Sequence, residues 1–255
     1  MRARAPGADS RGGVAMPLWN PGMGSGLHAQ VTSALGVEIV EGRLAPGSIL
    51  NLEELGRRFS VGRSVLRESL RVLESLGMIE PRQRLGTQVL PRSEWDLLNP
   101  KVILWRGSGA GYFEQMRELL ELRLGIEPVA ARLSAQAMSE ADTHRLAEAA
   151  RRMVTTSASG DAHGFLEADV EFHDLILRSC GNSVIAHFAT TVEAVLRTRT
   201  FEHRFPITDY TPASADRHDR LAAAIAERDP ATAFAVSLDM IDATVREFDS
   251  AAVTD

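Results

Sequence analysis

The sequence predicts a mainly α protein in two parts: a small three-helix unit closed by a β-hairpin, then an all-α helical bundle. Three observations lead there. Between His28 and Pro91, three stretches of helical period are followed by two short β-type runs around a basic, glycine-containing tip. Past Pro91 every segment carries the helical period, and the charge divides at the same place. From His28 to Pro91, 8 Arg stand against 7 Glu, a net of +1; from Arg92 to Asp255, 17 Lys and Arg face 26 Asp and Glu, a net of −9. An acidic surface repels nucleic acid, so any surface for DNA belongs to the first part.

Composition excludes several classes. The 255 residues are 24% charged and 44% hydrophobic, enough for a core in each part. No apolar run approaches the roughly 18 residues of a membrane helix. The lone Cys180 can form neither an internal disulfide nor a cysteine-based metal cluster, which fits a reducing cytoplasm and leaves any metal site to His, Asp and Glu. Residues 1–27, rich in Gly and Pro and without a hydrophobic period, read as a disordered leader with Met16 or Met23 as alternative starts. No secretion signal is visible.

In the first part, Val31, Leu35, Ile39 and Val40 recur at helical spacing, and Glu41-Gly42 ends that helix before a turn at Leu44–Gly47. Asn51, with Glu54 three residues on, is a capping-box start for a short helix through Phe59. Ser60-Val61-Gly62 is a turn. Arg63 then begins a longer helix that buries Val65, Leu66, Leu70, Leu73 and Leu76, and Gly77 caps it. Met78–Pro81 and Gln88–Leu90 are short strands around the tip Arg82–Thr87. Residues 28–91 are thus a winged helix-turn-helix, a unit that lays its second helix in the major groove of DNA. On that helix Arg63, Arg67 and Arg71 are spaced i, i+4, i+8, opposite the leucine stripe, with Ser64 beside the first of them. Arginines so spaced also describe an ordinary solvated face; the turn, the wing and the charge division favour the DNA-facing reading.

This segment resembles the GntR family of bacterial transcription regulators in EIVEGRLAPGSIL, VGRSVLRESLRVLESLGMIE and RLGTQV. The resemblance implies that Arg63 and Arg67 read bases and bind phosphate and that Gly86 is the wing glycine. The expected DNA-binding residues are therefore Arg63, Ser64, Arg67, Arg71, Arg84 and Gly86, with the helix-turn-helix motif at Asn51 to Leu70. The sequence departs from the family at Gly62, where Ser or Thr is usual, at Glu53, often Arg, and at Arg84-Leu85, where Gly-Arg is common.

In the second part helices are expected at Gly111–Met138, Ser139–Ser157, Ala162–Cys180, Ser183–Phe205, Ala213–Glu227 and Ala231–Phe248. Short helices near Glu94–Leu98 and Pro100–Trp105 fill a 92–110 linker, with Trp95 and Trp105 as docking anchors. No glycine-rich phosphate loop points to nucleotide chemistry. In Ala162–Cys180 the stripe Phe165, Phe172, Ile176, Cys180 has Asp169 and His173 on it, one turn apart and aimed inward. Such a pair can share one metal ion or form a plain core hydrogen bond. Arg123 lies on the stripe Met116, Leu120, Glu127, Ala130, a charge that needs an anion if buried, and His218 opens HDRLAAAIAERD.

Taken together, Glu121-Leu122-Arg123…Glu127-Pro128, Glu167-Ala168-Asp169…Phe172-His173 and His218…Ala224-Ile225…Asp229-Pro230 resemble the FCD ligand-binding domain of the FadR subfamily. The resemblance implies a bundle that binds a divalent metal through Asp and His, the metal and an arginine together holding a carboxylate effector. Carried over, Asp169, His173 and His218 are the metal ligands and Arg123 is the carboxylate clamp; zinc is the first expectation, nickel or manganese the alternatives. The final histidine of many members is Met240 here, a poor ligand for such ions, and Asp239 compensates only in another register. His28, His144, His163, His187 and His203 match no ligand, although His187 and His203 fall on a helix able to line the cavity. The connector Pro91–Arg106 is similar to that of sugar-acid repressors.

The expectation is a cytoplasmic, homodimeric, non-enzymatic repressor that binds operator DNA, with residues 111–250 as its all-helical effector, metal-binding and dimerisation domain. A metal-responsive regulator, in which the ion is the signal, is the alternative. A metal-dependent hydrolase ranks below both, because no placed base accompanies the ligands.

Overall fold

The structure is a computed structural model that describes residues 26–109, 111–199 and 211–252. Most of the expected 1–27 leader, and His203, lie outside those residues; Leu27 already opens the first helix. Helix α1 (Leu27–Val40) buries Val31, Leu35 and Ile39. Asn51 caps α2 (Leu52–Phe59): its side-chain oxygen accepts from the Glu53 and Glu54 amides at 3.0 and 3.2 Å. Ser60, left-handed at φ 53°, ends α2, and Gly62 starts α3 (Arg63–Ser75) with no side-chain cap, the consequence of glycine at that place. The core of this unit is Leu35, Leu66, Leu70, Leu73, Met78 and Ile79.

The wing has one strand more than the sequence suggests. Strand β1 (Ile49–Leu50) pairs antiparallel with β3 (Gly86–Val89), which pairs with β2 (Ile79–Arg82), giving the order β1-β3-β2. Arg82 and Gly86-Thr87, expected in the tip, are strand residues, and the tip shrinks to Gln83–Leu85 with Arg84 at φ 66°. Gly77 turns the chain from α3 to β2 at φ 68°; a Cβ there would lie 2.1 Å from the Glu94 carbonyl oxygen. Gly77→Ala is expected to cost about 2 kcal/mol or more of unfolding free energy, read by urea denaturation, since strain and a backbone clash act together.

In the linker, a 3-10 turn (Arg92–Glu94) replaces the expected Glu94–Leu98 helix. Trp95 is extended because its indole N–H donates to the Leu90 carbonyl at 3.1 Å, which pins it to the wing. Helix α4 (Pro100–Gly107) has two loyalties: Val102 and Trp105 join the core of the first unit, while Ile103 packs with Met116, Leu120 and Val195 of the bundle. Trp105 lies so close to Gly36 of α1 that a Cβ there would meet its ring at 2.5 Å. An ion cluster reinforces the junction, with Arg92 2.8 Å from Glu114 and 2.6 Å from Glu118, and Arg106 3.5 Å from Glu118.

The bundle follows as α5 (Tyr112–Ala137), α6 (Glu140–Ser159), α7 (Ala162–Ser179), α8 (Ser183–Ala186), α9 (Ala189–Thr198), α10 (Pro212–Ala226) and α11 (Pro230–Ala252). The single helix expected at Ser183–Phe205 is broken. At His187 and Phe188 the amides bond three residues back, to Val184 and Ile185, so the chain tightens and restarts as α9; residues 200–210 lie outside the described set. Helix α5 packs against α11, α7 and α10, and α6 against α7 and α10. Among the described residues no helix is long and apolar enough to cross a membrane.

Candidate functional site

The inward polar pair of α7 is where its stripe puts it: Asp169 and His173 are buried with Phe165 and Phe172, His173 against Glu127 of α5 and Asp169 against His218 of α10. His218 comes from α10, its ring edge-on to Phe172 at 4.9 Å. One ligand atom from each of Asp169, His173 and His218 lies within 4.8 Å of the others. Asp169 Oδ1 is the point of convergence, 3.2 Å from His173 Nε2 and 3.1 Å from His218 Nε2.

The opposite ring nitrogens set the tautomers. His218 Nδ1 donates to the Ser214 carbonyl at 2.8 Å, and His173 Nδ1 lies 2.6 Å from Glu127 Oε2, so in the neutral rings both Nε2 lone pairs face Asp169. Arg123, expected to need an anion, finds it in Glu127 one turn along α5, with a second guanidinium nitrogen 3.4 Å from His173 Nε2. The contacts have hydrogen-bond length without its direction: among the described residues, Asp169 Oδ1, His218 Nε2, His173 Nδ1 and Arg123 Nη1 are buried with no hydrogen-bond partner. Buried orphan atoms are costly, and two imidazole nitrogens with one carboxylate oxygen form a donor set for a borderline divalent ion. The donor set fits such a metal.

The cavity beside these atoms encloses about 20 Å³, room for about one water or one ion. Met240 and Thr244 of α11 line it, so the thioether stands in the wall where a further imidazole would complete the set. His187 does not line it; the ring is exposed at the α8–α9 break.

Charge follows the same geometry. Burial pushes the His173 imidazole down, but the Glu127 and Asp169 carboxylates outweigh it and raise it to about 9. Burial likewise opposes ionisation of Glu127, yet Arg123 and His173 hold it at about 2, and the two imidazoles hold Asp169 well below the usual range. In the metal-free protein the His173 imidazolium therefore stabilises the fold fully below about pH 6.5 and loses that contribution as pH rises through about 9. Metal-free melting temperature is expected to fall across that window, whereas metal affinity rises across it because the ligand is the neutral ring. Melting curves with and without chelator at stepped pH check both.

The helix-turn-helix face is the second site. Arg63, Ser64, Arg67 and Arg71 are all exposed along α3. Glu68 holds Arg71 at 2.8 Å, and Glu53 stands 4.0 Å from Arg63, whose side chain is 90% exposed. Arg67 has no partner among the described residues and is free to meet a base edge or phosphate. Arg84 stands exposed at the wing tip, and Gly86, at φ 109°, lets β1 approach: a Cβ there would meet Ile49 at 3.1 Å.

Residues 27–89 match the family described as bacterial regulatory proteins, gntR family, and residues 118–243 match the FCD domain. The chain belongs to the GntR family. Its helix-turn-helix therefore binds operator DNA, and the FCD match runs from just before Arg123 to just past Met240. The uncharacterised HTH-type regulator YieP of Escherichia coli K12 is 29% identical over 209 residues, 82% of this chain and 89% of its own. The galactonate operon transcriptional repressor of the same organism is 28% identical over 219 residues, 85% of this chain and 94% of its own. In fold, the chain matches the solved structure of Lar, which controls the expression of the Listeria monocytogenes agr system, at a TM-score of 0.61 and 18% identity, covering 91% of this chain and 99% of that one. The relatives are named as transcription regulators, and this chain carries the DNA-binding domain of the same family of bacterial regulatory proteins.

Proposed function

We propose that this GntR-family protein is a homodimeric repressor released from its operator by a small carboxylate, a sugar acid or hydroxy acid, bound beside a divalent metal in the FCD domain. One observation carries the reading: His173 and His218 Nε2 converge on Asp169 Oδ1 in a buried cavity that Arg123, whose Nη1 is unpartnered, also lines. Asp169, His173 and His218 would hold the metal, zinc before nickel or manganese on donor type. Once bound, the ion supplies positive charge and open coordination positions for a carboxylate. Arg123 Nη1 offers the same carboxylate a charge-assisted hydrogen bond, while Glu127 orients both Arg123 and His173. The named galactonate repressor among the relatives supports a sugar acid as the class.

Helix α5 supplies the route to DNA. It carries Arg123 at the cavity with Glu127 behind it and, about one and a half to two and a half turns before Arg123, Glu118 and Glu114, which hold Arg92 beside the wing. A ligand that draws Arg123 toward itself acts on the helix that anchors the linker, and it shifts operator affinity by its differential affinity for the two arrangements. Residues 28–91 thus bind DNA, 92–110 transmit, and 111–250 sense and dimerise.

The small space favours a second reading, since about 20 Å³ suits a single ion. In that reading the metal is itself the signal. Operator binding titrated with chelator, with and without sugar acids, separates the two: release by acid only in the presence of metal supports the effector, and release by metal change alone supports the metal sensor. Glu127→Gln is expected to weaken metal binding by about 10- to 100-fold, measured by competition with a zinc dye, because it removes the anion that orients His173.

A further inference from the structure

We propose that the effector carries two anionic groups and that Arg217 holds the second one, which rests on the carboxylate reading above. Among the described residues, Arg123 and Arg217 line the same cavity as the Asp169 carboxylate. Glu127 behind the wall pairs with Arg123, whereas the carboxylates nearest Arg217 stand 3.9 and 4.0 Å away. A monoanion at the Arg123 and metal end leaves Arg217, at the same cavity wall, without a close anion.

Arg217 is the residue placed to hold a second anion. It precedes His218 on α10, its side chain is 22% exposed, and its counter-ions are both distant: Asp239 on α11 at 3.9 Å and Glu247 at 4.0 Å. Asp239 is shared with Arg246, also at 3.9 Å, which has a closer partner of its own in Asp242 at 2.9 Å. Among the described residues Arg217 makes no hydrogen bond, so a planar fork suited to bidentate capture of a carboxylate or phosphate stands at the cavity wall without one. The shared chemistry of the ligand is thus a carboxylate at one end and a further anion at the other, whether a second carboxylate or a phosphate ester.

Isothermal titration of the full-length, zinc-loaded protein with matched pairs tests this: gluconate against glucarate and 6-phosphogluconate, galactonate against galactarate. At least one dianion is expected to bind about 10-fold or more tightly than its monoacid, and Arg217→Gln is expected to bring the two level. Glucarate or galactarate as the tighter ligand names a second carboxylate; 6-phosphogluconate names a phosphate. Equal binding of mono- and dianion to the native protein overturns the inference without needing the variant, as does a preference that survives Arg217→Gln in a protein of native metal content and operator affinity. Binding of monoacids alone overturns it and leaves the carboxylate-effector reading standing. No binding by any acid overturns both.

Discussion

Replacing Asp169 by Asn is expected to lower zinc affinity by about 100-fold or more and to leave operator binding in place without its response to acid. Asp169 is the only carboxylate among the three converging ligands, and both Nε2 lone pairs face it, so its loss leaves two imidazoles, one of them beside the Arg123 cation. The amide keeps the shape of the buried side chain, which limits the structural cost. Metal content of the purified variant and competitive zinc titration read the first effect, and operator binding with and without acid reads the second. Native metal content in the variant would remove Asp169 from the ligand set and reduce the cluster to a core hydrogen-bond network.

The second large effect lies at the other end of the molecule. Arg67→Ala is expected to weaken operator binding by about 10- to 100-fold, the range for one good base or phosphate contact. Arg67 projects from the exposed face of α3 with no partner among the described residues, so nothing compensates the lost contact. Arg71 is already paired with Glu68 at 2.8 Å, and Arg71→Ala should cost less. Fluorescence anisotropy on the duplex the protein selects from a random pool measures both, and the salt dependence shows whether Arg67 meets a base or a phosphate: a phosphate contact lowers the slope by about one. An Arg71 effect as large as that of Arg67 would contradict this division of labour.

The fold was legible wherever burial is periodic along one element. The leucine stripe of α3 and the Phe165, Phe172, Ile176 stripe of α7 fix which way each helix faces, and Asp169 and His173 follow from the second of these. What escaped depends on partners distant in sequence. Strand β1 has two residues, too few for a period, and exists because β3 offers it a free edge. The break between α8 and α9 has neither Gly nor Pro to mark it; it rests on two amides that bond three residues back instead of four. Trp95 leaves its expected helix for a carbonyl on the wing.

The candidate site divides in the same way. Arg123 was marked by a charge on an apolar stripe, and its Glu127 partner was present four residues on, yet the sequence alone does not tell that Glu127 also orients His173, 46 residues away along the chain. Ser214 contributes only a main-chain carbonyl, which no side-chain pattern reveals. Arg217 reads as one more surface arginine until α11 places Met240 and Thr244 beside it in the same wall.

The central claim is that an acid held by Arg123 beside the metal loosens the grip on DNA. Its most direct measurement is the anisotropy of a bound operator duplex as sugar acids are titrated into the zinc-loaded protein, native and Arg123→Met, whose chain length is similar but whose guanidinium is gone. The account predicts release from the native protein at the acid concentration that saturates it, with about 10-fold or more acid needed by the variant and the same operator affinity before acid is added. Release of both proteins at one acid concentration, or of neither at any, would contradict it.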